Sequence, residues 1–176
     1  MKHPILGLKD WRREDQMSKR ISIFNGPNLN LLGEREPEIY GSVTLKAIEE
    51  SCRALADRLN IALEFHQTNH EGVMVDAIQD ARLTSDAMII NPAGLSFHSV
   101  PVLDALRIFA KPIVELHLSN IHARDDAHKH SIMSASSTAV ICGLGAYGYI
   151  VALQAAARML GPLPGELPEP LSMGPV

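Results

Sequence analysis

Cysteine is scarce in this chain, with two in 176 residues. Cys52 and Cys142 share no CxxC spacing and fall in apolar-periodic segments, so the expectation is two buried free thiols in a reducing cytosol, not a disulfide or a zinc site. No apolar run approaches the ~18 residues that a membrane span requires, so no membrane partner is expected. Nor is there an excess of positive charge. Sixteen Lys and Arg against twenty Asp and Glu give a formal charge of -4. The charges are scattered, leaving no basic face for nucleic acid and no polybasic membrane patch. A repeat and a low-complexity block are also missing. Residues 1–19 carry charges early (Lys9, Asp10, Arg12, Arg13, Glu14, Asp15) and lack the apolar core of a signal peptide, so they read as an N-terminal extension. Residues 161–176 contain five prolines and no periodicity, which predicts a tail without regular structure. Between them, residues 20–160 suit one domain burying roughly two thirds of its unfolded surface.

What this domain does have is a regular alternation of strand and helix signals. Ile21 to Phe24 read as a buried strand that Asn25-Gly26-Pro27 must stop, since Gly tolerates positive φ and Pro lacks the ladder donor. Thr44 can cap a helix with Leu45, Ile48, Cys52, Leu55, Ala56 and Leu59 at three- and four-residue steps. Ile61, Leu63 and Phe65 alternate as a half-covered strand, and a helix is expected from about Glu71 to Leu83. Asp86 to Asn91 is apolar enough for a sheet centre. Ser99 can cap the next helix, with Pro101 tolerated in its first turn. The run IVELH, then Ala139 to Cys142, supply two more strands before a last helix from Ala146 to Leu160. The pattern predicts an α/β, flavodoxin-like, doubly wound five-stranded parallel sheet of order 2-1-3-4-5. In that order the loops after strands one, three and four open into one crevice.

Three sets of residues bring chemistry to that crevice. The loop from Ile23 to Gly41 carries Asn28, Arg35 and Tyr40. A phenol ionises near pH 10, so a Tyr40 base needs a cation beside it, and Arg35 is close in sequence and always charged. On the residues alone, a satisfied surface turn accounts for this loop as well. His117 ends a strand with Glu115 two residues back on the same strand face, where the carboxylate can set the imidazole tautomer. A structural histidine is the competing reading. Base, acid and a water-holding amide in Asn28 are the parts of an elimination through an enolate. Gly143, Gly145 and Gly148 match a dinucleotide fingerprint literally, but they follow the last strand, and no further strand comes to supply the ribose-binding acid. His122, His128 and His130 have no firm metal-ligand spacing and read as a polar loop.

The blocks NGPNLNLLGEREPEIYG, QTNHEG, NPAGLSFHSV, ELHLSNIHAR and GLGAYGYIVAL, in this order, resemble the signature of type II 3-dehydroquinate dehydratases. The resemblance spans about Ile21 to Leu160. It implies a hydro-lyase that dehydrates 3-dehydroquinate without cofactor or metal. In that scheme Tyr40 removes a proton next to the ketone, Arg35 supports the tyrosinate, Asn28 positions a water on the enolate, and His117, oriented by Glu115, protonates the departing hydroxyl. It assigns Asn91 and the backbone amides of Leu118 and Ser119 to the substrate carboxylate, and Arg124 to the substrate pocket. It further implies trimers assembling into a dodecamer, with Asp104 reaching a neighbouring subunit's site. Met17, followed by SKRISIFNG, suits the usual start of such chains. Two positions depart from the pattern. Phe97 stands where a substrate-binding His is usual, with His98 one place later and about 100° away on a helical turn. His128 stands where an Arg grips ring hydroxyls. These departures leave open a relative repurposed for a related cyclic hydroxy-keto acid, or a carboxylate-binding module without turnover.

Overall fold

The computed structural model describes residues 18–34 and 42–163. Its core is a parallel sheet of five strands in the order β2-β1-β3-β4-β5. They are β1 (Lys19–Asn25), β2 (Ile61–Gln67), β3 (Ala87–Asn91), β4 (Ile113–His117) and β5 (Ala139–Cys142). Four helices join them: α1 (Leu45–Arg58), α2 (Glu71–Thr84), α3 (Val100–Phe109) and α4 (Tyr147–Met159). The order expected from the alternation is the one observed.

Strand periodicity divides the core in two. Ile21, Ile23, Ala87, Ile89, Val114 and Leu116 face one side, where Ile48, Cys52 and Ala56 of α1 and Leu153 and Ala156 of α4 cover them. Phe24, Met88, Ile90 and Ile113 face the other side, under Met74 and Ile78 of α2 and Val102, Leu106 and Phe109 of α3. Every residue of β3 and β4 is buried, as central strands covered on both faces require. The caps are where the sequence placed them. Thr44 accepts from the Ala47 N–H, and Ser99 from the Val102 N–H, each such cap contributing about 1 kcal/mol.

Two expectations are corrected. Gly26 does not stop β1 through positive φ, since it is not among the residues with left-handed backbone. Its N–H donates to the Asn91 carbonyl at 2.8 Å, and a Cβ there would lie 2.2 Å from the Pro92 oxygen. Glycine is needed for close approach of the β1 and β3 ends. It is Asn28 that takes the left-handed turn, with φ 67°, a conformation asparagine tolerates. The cysteines also differ from the expected buried pair. Cys52 is wholly buried, its thiol pushed up to about 12 by burial and then by Glu49, whereas Cys142 is only partly covered.

Candidate active site

A cavity of about 660 Å³ opens at the carboxyl ends of β1, β3 and β4. This is the position that the strand order predicts for a ligand. The end of β1 supplies Asn28, exposed on the rim. The loop is braced from β2 by the QTNHEG block. Asn69 Oδ1 accepts from the Asn28 N–H at 2.9 Å, and Gln67 Nε2 donates to the Gly26 carbonyl at 3.3 Å. Arg35 and Tyr40 lie outside the described residues.

The end of β4 supplies the acid–base couple. His117 is 5 % exposed and Glu115 is fully buried. The imidazole Nε2 meets Glu115 Oε1 at 2.6 Å. Burial alone would raise the Glu115 carboxyl. Hydrogen bonds from His117, Ser131 and Ser134 and the charge attraction of His117 outweigh it and hold the carboxyl below the usual range. Ser134 Oγ donates to Glu115 Oε2 at 2.6 Å. An ionised carboxylate can only accept, so Nε2 carries its hydrogen on that side. Nδ1 is then the nitrogen through which a protonated imidazole can give a proton away. The serines come from a 3-10 turn at Ile132–Ser136 and its flanks. The run SIMSASS was the one sequence signal for them, and spacing alone gave no reason to attach it to Glu115.

Asn91, 2 % exposed, lines the cavity from the end of β3, and Leu118 lines it from the turn after β4. Arg124 lines it too, and its Nη2 donates to Ser119 Oγ beneath. Phe97 and His128 both reach the cavity and touch each other, their ring centroids 5.1 Å apart and nearly perpendicular. Asp125, which sequence reasoning passed over, lines the same wall and bonds His128 Nδ1 at 2.8 Å. That bond, despite some opposing desolvation, holds the Asp125 carboxyl below its ordinary range. His98 is exposed and does not line the cavity. Asp104 is also outside this cavity, on the outer face of α3, paired with Arg107 at 3.1 Å. Of the glycines after β5, Gly148 serves packing, since a Cβ there would meet Leu116 Cδ1 at 2.8 Å, whereas Gly143 and Gly145 take left-handed backbone, with φ 87° and 56°. No group of three or more His, Cys, Asp or Glu among the described residues is arranged to hold a metal ion. No helix among them is long and apolar enough to cross a membrane.

The family model for dehydroquinase class II matches residues 19–157. The chain belongs to the class II dehydroquinase family. It is 51% identical over 144 residues to a 3-dehydroquinate dehydratase of Bartonella bacilliformis, covering 82% of this chain and 91% of that relative. It is also 51% identical over 146 residues to a catabolic 3-dehydroquinase of Phaeosphaeria nodorum, covering 83% and 96%. Among solved structures, a type II dehydroquinase from Propionibacterium acnes is similar with a TM-score of 0.78 and 39% identity, over 81% of this chain and 98% of that one. The five-stranded order is the one that type II dehydroquinase structures share.

Proposed function

We propose that this chain dehydrates 3-dehydroquinate to 3-dehydroshikimate by elimination through an enolate, with side chains as the only reagents. The observation that carries this reading is the buried His117–Glu115 couple opening on the cavity, in a chain half identical to proteins named for the reaction. Tyr40, with Arg35 lowering its pKa, takes the proton beside the ketone. The electron pair forms the enolate, which a water held by Asn28 stabilises. The enolate then expels the hydroxyl, and His117 Nδ1–H protonates it, so one water leaves and a conjugated enone remains. Asn91, Arg124 and the amides of Leu118 and Ser119 receive the carboxylate end.

Phe97 and His128 belong to the same reading as specificity positions. With a phenyl edge where a hydroxyl partner is usual, and a histidine in place of an always charged Arg, two polar contacts are weakened. That is on the order of 2 to 4 kcal/mol, a roughly 30- to 1,000-fold deficit in kcat/KM. The catalytic unit is the domain expected over residues 20–160, extended by one residue at its start because β1 begins at Lys19, with the flanking segments as appendages. It works in the cytoplasm as trimers assembled into a dodecamer, with Asp104 completing a neighbour's site.

The test is to follow the enone in the ultraviolet after mixing pure protein with 3-dehydroquinate. The expected result is turnover that Tyr40→Phe abolishes and that the pair Phe97→His, His128→Arg raises at least tenfold. No absorbance above the Tyr40→Phe control at high enzyme concentration sinks the reading.

A further inference from the structure

Behind the cavity a chain of buried side chains has a direction that chemistry alone decides. It starts at the main-chain carbonyl of His66, which can only accept, so the Asn25 group 2.9 Å away is the donating Nδ2. Asn25 therefore turns Oδ1 to Tyr149 and accepts its hydroxyl proton at 2.6 Å. A phenol has one proton to give, so toward Asn91 the Tyr149 oxygen accepts, and Asn91 meets it with Nδ2 at 2.9 Å. Tyr149 and Asn25 are completely buried and Asn91 nearly so. No solvent competes for these bonds, and their geometry is high-stakes for that reason. Burial raises the phenol pKa well beyond its ordinary value, so the proton stays on Tyr149. The ring itself is seated against Phe65, centroids 6.4 Å apart.

We infer that Tyr149, held by Asn25, is a positioning residue that sets which end of the Asn91 amide is committed to the interior and leaves the second N–H of Nδ2 for an anionic group of the ligand. An amide has two orientations about 180° apart with nearly the same shape. Turned over, Asn91 would place its carbonyl oxygen where a carboxylate is to sit, and like partial charges repel. The hydroxyl of Tyr149 can accept only from Nδ2, so it selects one orientation before the ligand arrives, which is preorganisation by a group that never touches substrate. The inference rests on Asn91 facing the carboxylate in the proposed reaction.

It is tested with wild type, Tyr149→Phe, Asn91→Ala and the double variant, with folding checked by thermal melting. Two readouts are taken: KM and kcat on 3-dehydroquinate, and calorimetric binding of quinate, which keeps the carboxylate and ring hydroxyls but has no ketone to react. Tyr149→Phe should raise KM and the quinate Kd about 3- to 10-fold, with kcat within about twofold, and should add nothing in the Asn91→Ala background. Asn25→Ala frees the Tyr149 proton to turn toward Asn91, and should shift KM in the same direction. A merely structural role lowers melting temperature and leaves KM alone. Unchanged KM and Kd in Tyr149→Phe, or an equal rise with and without Asn91, overturns the inference. Should wild type bind quinate without turning over 3-dehydroquinate, the reaction falls while the Kd comparison still decides this inference. A wild type that binds no quinate at millimolar concentration overturns both.

Discussion

At the scale of residues, the couple of Glu115 and His117 makes a prediction about acid. The Glu115 carboxyl is held below its ordinary range in the folded chain, while in the unfolded chain it titrates near ~4.3. A depressed folded pKa contributes stability that is fully present above the unfolded value and is lost as pH falls through the folded one. Denaturant unfolding of wild type should therefore show constant stability from this group at pH 7 to about 5, then a loss below about pH 4. Glu115→Gln should flatten that acid limb. It should also cut kcat, since a neutral amide can present either end to Nε2 and no longer fixes which ring nitrogen carries the hydrogen. An acid limb equally steep in both proteins would remove Glu115 as its source. His117 with Glu115 was legible in the sequence because strand parity alone places i and i+2 on one face. Asp125 was not, because its role depends on its loop folding back so that His128 meets Phe97, a contact distant in sequence that no local period encodes.

At the scale of elements, the strand ends decide the shape of the crevice, and glycine substitution separates two kinds of close contact. An alanine Cβ at position 26 would press on the Pro92 main-chain oxygen at 2.2 Å, and neither backbone can yield without moving β1 or β3. At position 148 it would press on Leu116 Cδ1, the far end of a flexible side chain. Gly26→Ala is expected at the upper end of the ~1–3 kcal/mol overpacking range, or about 6–12 °C in melting temperature for a domain of this size. In Gly148→Ala the strain is offset by the roughly 1 kcal/mol gain in helix propensity, so the melt should move by a few degrees at most. A larger loss in Gly148→Ala than in Gly26→Ala would contradict this account. The elements themselves were readable: Thr44 and Ser99 announced their helices as capping residues, and AMIIN its central position as a short apolar run. The reason for Gly26 was misread, because a sequence displays φ preference and hides which backbone will pass close by. Tyr149 was hidden for a related cause. In GAYGYIVAL it looks like one more core aromatic, and its hydroxyl gains meaning only where α4 crosses the ends of β1 and β3.

At the scale of the whole molecule, the outer face of α3 carries the argument for assembly. Val100, Asp104 and Ile108 recur at four-residue steps and so form one stripe along the helix. The stripe is open: Val100 is 55% and Ile108 54% exposed, and the Asp104 side chain 59%. Val73 of the neighbouring α2 is exposed as well. A carboxylate set between two exposed β-branched side chains, on a face left open by the described residues, suits contact with a second copy as the proposed assembly requires. Ile108→Glu tests this cleanly. On a monomer's surface such a change is worth within about 0.5 kcal/mol, so the melt of an isolated subunit should barely register it. Across an interface it buries an unpaired charge, and sedimentation should shift to a smaller species, with kcat/KM falling in parallel because each cavity loses a neighbour's Asp104. Asp104→Ala should lower kcat/KM and leave the sedimentation of the assembly in place. A wild type that sediments as a monomer at micromolar concentration, with full activity, would show that the cavity is complete within one chain.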